Sequence, residues 1–103
     1  MKPSTFLQRH QWCQGSFAQS KYGRNVDVQS SRAVKFCMLG AIIATAEDST
    51  VREKNERRLH EFIPNVSAWN DKRGRYLIHV VRWNDMPGRT KAEVVTALKK
   101  VGL

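Results

Sequence analysis

The stretch Ala33-Val34-Lys35-Phe36-Cys37-Met38-Leu39-Gly40-Ala41-Ile42-Ile43-Ala44-Thr45-Ala46 decides how the rest of the chain is read. Residues 31–46 leave almost no polar face at helical spacing, and a helix that is apolar nearly all round belongs at the centre of a fold. Gly40, Ala41 and Ala44 would let neighbouring helices approach closely. A mid-helix glycine costs ~1 kcal/mol relative to alanine, so close packing is the natural reason for Gly40. The uncharged run from Phe36 to Ala46 has eleven residues, well short of the roughly 20 that cross a bilayer. The expectation is therefore a buried central helix and no membrane partner.

Working outward, residues 4–14 read as a first helix, with Ser4 as N-cap, a stripe of Phe6, His10, Cys13 and Phe17, and Gly15 as its end. Residues 16–30 are polar and irregular, the longest loop. Thr50-Val51-Arg52-Glu53 has the capping-box form and opens a third helix that Pro64 closes. Its inner stripe is Val51, Asn55, Leu59, Phe62 and Ile63, and Glu53, Glu56 and Glu61 read as solvated partners of its Arg and Lys. A second box, Thr90-Lys91-Ala92-Glu93, opens a C-terminal helix that carries Val94, Val95, Leu98 and Val101 inward and stops at Gly102. Between them, residues 76–83 fit a short helix. A strand there is the competing reading, and it would need a partner near Asn25-Val26-Asp27-Val28 to satisfy its backbone. The fold class expected is mainly α: one domain over residues 1–103, a compact bundle of four to five helices around a buried central one, with 76–82 as a possible strand.

The chain has 103 residues, 18 Lys+Arg against 9 Asp+Glu and a formal charge of +9. That length supports one core. Cys13 and Cys37 are not spaced as a disulfide framework, and the polar segment after Met1-Lys2-Pro3 is not a secretory leader, so both cysteines read as reduced core thiols in a cytoplasmic protein.

The most specific local pattern is repeated. Residues 69–75 read Trp-Asn-Asp-Lys-Arg-Gly-Arg and residues 83–89 read Trp-Asn-Asp-Met-Pro-Gly-Arg. Each copy has turn chemistry: Asn and Asp side chains bond nearby backbone, and glycine permits positive φ. On the structural reading, Trp83 plugs the core, Asn84 and Asp85 build the turn, and Thr90 caps the helix that follows. On the functional reading, Arg75 and Arg89 present guanidinium forks to phosphate or carboxylate. Lys72, Arg73 and Arg75 around Gly74 favour function for the first copy, because no helix follows that the loop is needed to cap.

A resemblance rests on these residues. Trp12 followed by Gln14-Gly15, then Phe36-Cys37-Met38-Leu39-Gly40-Ala41-Ile42, and finally Trp83-Asn84-Asp85-x-Pro87-Gly88-Arg89-Thr90-x-x-Glu93-Val94 before a closing amphipathic helix resemble a family of small proteins of unknown function found in bacteriophages and bacterial genomes. The resemblance spans nearly the whole chain. It implies a compact, mostly helical domain of phage or mobile-element origin in a host cell, and it implies no activity and no catalytic residues. The extra Trp69 copy and the higher basic charge depart from the family pattern.

Catalytic constellations are weak. His10 and Cys13 at i, i+3, joined by Cys37, offer zinc-type ligands but lack a fourth, since His60 and His79 bear no spacing relation to them. Nothing marks Cys13 as an activated nucleophile. Gly23, Gly40, Gly74 and Gly88 are isolated, so phosphate-cradling glycine signatures are missing. The expectation is a protein that is not an enzyme, with no cofactor and no metal.

Charge narrows the partner. Residues 1–46 carry six basic and one acidic residue, residues 47–62 four and five, and residues 63–103 eight and three. The surplus lies at the two ends. If those ends pack together, Arg9, Lys21, Arg24, Lys72, Arg73, Arg75, Arg89 and Lys91 would share one face with Tyr22 and Tyr76 interleaved. One reading of the charge is solubility alone; against it, phosphate contacts supply most nucleic-acid affinity and aromatic rings stack on unpaired bases, so nucleic acid is the expected partner. The alternative is an acidic surface of a host enzyme or defence complex, occupied by a phage inhibitor of anti-CRISPR type.

Overall fold

A computed structural model describes residues 1–63 and 76–103, with side chains from residue 80 onward in the second segment. Among the described residues there are five helices and one small sheet. In chain order these are α1 (Pro3–Arg9), β1 (Gln11–Trp12), β2 (Ala18–Gln19), β3 (Lys35–Phe36), α2 (Met38–Thr45), α3 (Ser49–Phe62), α4 (Tyr76–Asn84) and α5 (Lys91–Lys100). The mainly helical class holds, and residues 76–84 are helix, which removes the strand alternative there.

The strands lie elsewhere, in segments read as helix or loop. β3 is the central strand: it pairs in parallel with β1 (Gln11 with Lys35, Trp12 with Phe36) and antiparallel with β2 (Ala18 with Phe36, Gln19 with Lys35). Residues 13–17 form an open loop whose two arms, β1 and β2, are bridged only when β3 inserts between them. Each strand has two residues and no local period to betray it, so its pairing is wholly a matter of distant partners. The helix expected over 4–14 therefore stops at Arg9. Ser4 does not cap it; Lys2 holds the N-cap position without a side-chain bond, and the Ser4 N–H and hydroxyl both donate to the Leu103 carbonyl, at 3.1 and 2.9 Å. Gly15, expected to end that helix, instead turns the loop between β1 and β2 at φ +83°.

The central helix is where the apolar run placed it, but shorter. Residues 35–36 are strand, and Cys37 becomes the N-cap, its sulfur accepting from the Gly40 N–H at 3.3 Å. From Met38 to Ile42 every side chain is buried, and α2 packs against α1, α3 and α4. Gly40 has the expected packing reason, though its neighbour is a loop: an added Cβ would collide with the Phe17 carbonyl oxygen, which also accepts from the Cys37 N–H. The core continues through Leu7, Leu59, Val80, Val94 and Leu98, all fully buried.

α3 starts earlier than its capping box. Asp48 takes the N-cap, accepting from the Val51 N–H at 2.9 Å, which places Thr50 inside the helix. A carboxylate complements the positive end of the helix dipole and the earlier start adds backbone bonds. Glu56, read as solvated, is buried and held by Arg52 Nε at 2.8 Å. The box on α5 forms as expected: Thr90 Oγ1 accepts from the Glu93 N–H at 3.2 Å and Glu93 Oε1 accepts from the Thr90 N–H at 3.1 Å.

Candidate functional site

The second Trp-Asn-Asp loop, residues 83–89, is a structural junction. Asn84 is completely buried at the end of α4. Its Oδ1 accepts from Trp12 Nε1 at 2.7 Å and from the Met38 N–H at 3.0 Å, while its Nδ2 donates to the Cys13 carbonyl at 3.1 Å and to Asp85 Oδ1 at 2.9 Å. One amide thus joins β1, the first turn of α2 and the end of α4, with all four of its hydrogen-bonding positions used. Asp85 was expected to tie its own turn; its carboxylate accepts from the Gly15 N–H at 3.1 Å, across the fold. Gln14 Nε2 donates to the Asn84 and Met86 carbonyls, both at 3.0 Å.

Arg89 belongs to this junction. Its guanidinium carbon lies 3.7 Å from the centre of a buried Trp83 ring. Nε donates to the Trp83 carbonyl at 2.9 Å, Nη1 to Glu93 Oε2 at 2.9 Å, and Nη2 to the Met86 sulfur at 3.2 Å. Its side chain is only 14% exposed. The Arg89 hydrogen bond, followed by that of Thr90, holds the Glu93 carboxyl below its ordinary range. Lys91 is likewise turned inward, its Nζ donating to the His10 carbonyl at 2.6 Å. Arg89 and Lys91 therefore spend their charge on the fold, unlike the face expected from sequence.

Among the described residues no group of three or more His, Cys, Asp or Glu side chains could hold a metal ion. His10 is not on one helix with Cys13: its ring stacks on Phe6 at 4.0 Å and its Nδ1 lies 2.7 Å from the Phe6 carbonyl. Burial raises the Cys13 thiol above its usual value and pushes the Cys37 thiol up to about 12. Thiols so poised are protonated at neutral pH and poor nucleophiles.

Lys21 and Arg24 have a different setting. Ser20, Lys21, Tyr22, Arg24, Val26, Arg32 and Val34 line an open groove of about 840 Å³. Local turn chemistry shapes its first wall. The Gly23 N–H donates to the Ser20 carbonyl at 3.0 Å with Gly23 at φ +79°, and Ser20 Oγ accepts from the Tyr22 and Arg24 N–H groups, each at 3.3 Å. The opposite wall returns through a second turn, where Asp27 Oδ1 accepts from the Gln29 N–H at 2.8 Å and Ser30 Oγ accepts from the Arg32 N–H at 3.1 Å. The Val26 N–H donates to the Ala18 carbonyl and the Val34 N–H to the Gln19 carbonyl, so β2 sets the separation of the two walls.

The groove has two half-buried valines beneath and three exposed cations around it, and no acidic residue lines it. Tyr22 is 79% exposed, with Lys21 Nζ 5.0 Å from its ring centre. Among the described residues no ion pair engages Lys21, Arg24 or Arg32. Such an arrangement offers phosphate-binding cations beside an aromatic platform.

A model for a family of unknown function, DUF6197, matches residues 4–102. The chain belongs to that family. No curated protein and no solved structure matches it. For this DUF6197 chain, Lys72, Arg73 and Arg75 lie outside the described residues, together with the Trp69 loop and the side chain of Tyr76. Arg32 also lines the groove, although the apolar pattern over residues 31–46 points to one continuous helix there. The available signal was the turn-forming Asp27-Val28-Gln29-Ser30 just ahead of it, which returns the chain towards Tyr22.

Proposed function

We propose that this is a small, non-enzymatic basic protein that binds nucleic acid through the groove between residues 20 and 34. The observation that carries the reading is the convergence of Lys21, Arg24 and Arg32, without ion-pair partners among the described residues, on one concavity beside an exposed tyrosine. Phosphates are the ligands that reward clustered cations most, since each contact releases condensed counterions. The net charge of +9 draws such a polymer to the surface from a distance. Lys72, Arg73 and Arg75, which surround Gly74 in the sequence, are further candidate phosphate contacts in this proposal. A setting in a phage or mobile element, acting in the host cytoplasm, accords with the resemblance noted in its motifs. Among the described residues no helix is long and apolar enough to cross a membrane.

A gel mobility-shift titration tests the proposal. Labelled single- and double-stranded nucleic acid should be retarded at low salt, the shift should weaken steeply as salt rises, and the Lys21→Ala/Arg24→Ala/Arg32→Ala variant should lose most of it. No shift of either substrate at low salt would overturn the reading. A tagged chain that recovers an acidic host protein and no nucleic acid would move the same cations to the inhibitor alternative.

A further inference from the structure

Resting on the nucleic-acid reading, we propose that the Tyr22 groove takes an unpaired nucleotide of a single strand, and not the backbone of a duplex. A site for duplex phosphates needs no pocket, because the duplex carries its phosphates on the outside and keeps its bases stacked within. This site is concave, about 840 Å³, and of the size that encloses a small organic ligand. Its composition is divided as a nucleotide is divided. Val26 and Val34 supply an apolar bed, Tyr22 an aromatic face, and Lys21, Arg24 and Arg32 the cations of the rim.

Tyr22 is the sharper clue. A tyrosine 79% exposed on a turn contributes little to the core, and its backbone is already held by Ser20. Its ring is presented at the groove's wall, where Lys21 lies over it at 5.0 Å. A base that stacked on the same ring would bring its own phosphate to within reach of Lys21 and Arg24. Ser20, buried and accepting from the Tyr22 and Arg24 N–H groups, fixes the backbone from which the two cations and the ring extend. Single-strand binders combine these parts, a basic track with stacking platforms, and tolerate sequence because every base has a π-face.

Fluorescence anisotropy with labelled oligothymidylate of about a dozen nucleotides, and with a duplex of equal length, tests this. The single strand should bind at least ~10-fold more tightly than the duplex. With three phosphates neutralised, its log K against log[salt] slope should be about −2. Tyr22→Ala should weaken the strand by roughly 5- to 100-fold, the range of one base–aromatic stack, while Tyr22→Phe retains it; circular dichroism checks that both variants fold. Equal affinity for strand and duplex, or a Tyr22→Ala variant that binds the strand as the parent does, overturns the inference and leaves the basic-groove proposal standing. Full competition by free thymidine monophosphate at an equal concentration of nucleotide also overturns it, in favour of a free nucleotide. Failure to bind strand and duplex alike overturns both.

Discussion

Arg24 and Arg89 each follow a glycine held at positive φ, Gly23 at +79° and Gly88 at +83°. The two share the Gly-Arg step and the positive φ, yet their guanidinium groups have opposite fates. Arg89 lies over the Trp83 ring and bonds a carbonyl, a sulfur and a carboxylate. Arg24 stands at the rim of an open groove with two other cations and no acidic residue among the lining. A Gly-Arg turn positions a charge, and the elements packed beside it decide whether that charge serves the fold or remains available to a ligand. Around Gly88 those elements are the end of α4 and the first turn of α5; around Gly23, among the described residues, the chain bonds back to Ser20, just past the end of β2, and no helix packs on the turn.

The largest effect expected from breaking this contrast is on the junction side. Asn84→Ala would strand Trp12 Nε1, the Met38 N–H and the Cys13 carbonyl, and a buried group left unsatisfied costs about 1–3 kcal/mol. Urea unfolding should show a loss of about 3 kcal/mol or more, or no folded protein. A loss below about 1 kcal/mol would mean that the junction is not what holds α4 to β1 and α2.

Next in size is the pair of arginines themselves. Arg89→Ala removes a cation–π contact, worth about 0.5–2 kcal/mol, together with its hydrogen bonds, and should destabilise by about 1–2 kcal/mol in the same measurement. Arg89→Lys should recover only part of it, since one ammonium cannot reproduce a planar three-way fork. Arg24→Ala should stay within about 0.5 kcal/mol of the parent, as surface substitutions do, while weakening nucleic-acid binding. Equal destabilisation by the two alanine variants would erase the distinction between the loops.

The smallest effect concerns the acid side of the Arg89 contact. Because Arg89, then Thr90, lowers the Glu93 carboxyl from its usual 4.5, the folded state binds this proton less readily than the unfolded chain. The stability it contributes is present above that usual value and is lost as pH falls through the lowered one. In acid titration followed by circular dichroism, Glu93→Gln should therefore flatten the loss of stability below about pH 4.5. A variant with the parent's acid profile would show that Arg89 does not act through Glu93.

Legibility followed the range of the interactions. α5 could be read completely, since its cap, its apolar stripe and its terminal glycine all lie within a dozen residues. The burial of α2 was equally plain from its apolar run, but its start was not: the Cys37 sulfur serves as the cap, and thiols are absent from the usual capping set. His10 and Cys13 keep a helical spacing although they flank β1, so the pattern over 4–14 runs past the true end of α1 at Arg9. Asn84 was visible as part of a turn motif. Its role between β1 and α2 was not, since its partners Trp12 and Met38 are 72 and 46 positions away.

A mainly helical chain, a buried middle helix, a closing helix and a basic surplus at both ends follow from the order of the residues alone. Those are consequences of local periodicity, capping and composition, which a chain carries wherever it folds. That β3 slips between β1 and β2, that Arg89 and Lys91 turn inward, and that Arg32 returns to join Lys21 and Arg24 around Tyr22 is settled by packing in three dimensions. The strand pairing and the Lys91 bond to the His10 carbonyl join groups distant in sequence, which no local pattern encodes; Arg89 bonds Trp83, Met86 and Glu93, all within six positions, and what brings them together is the packing of the turn between α4 and α5.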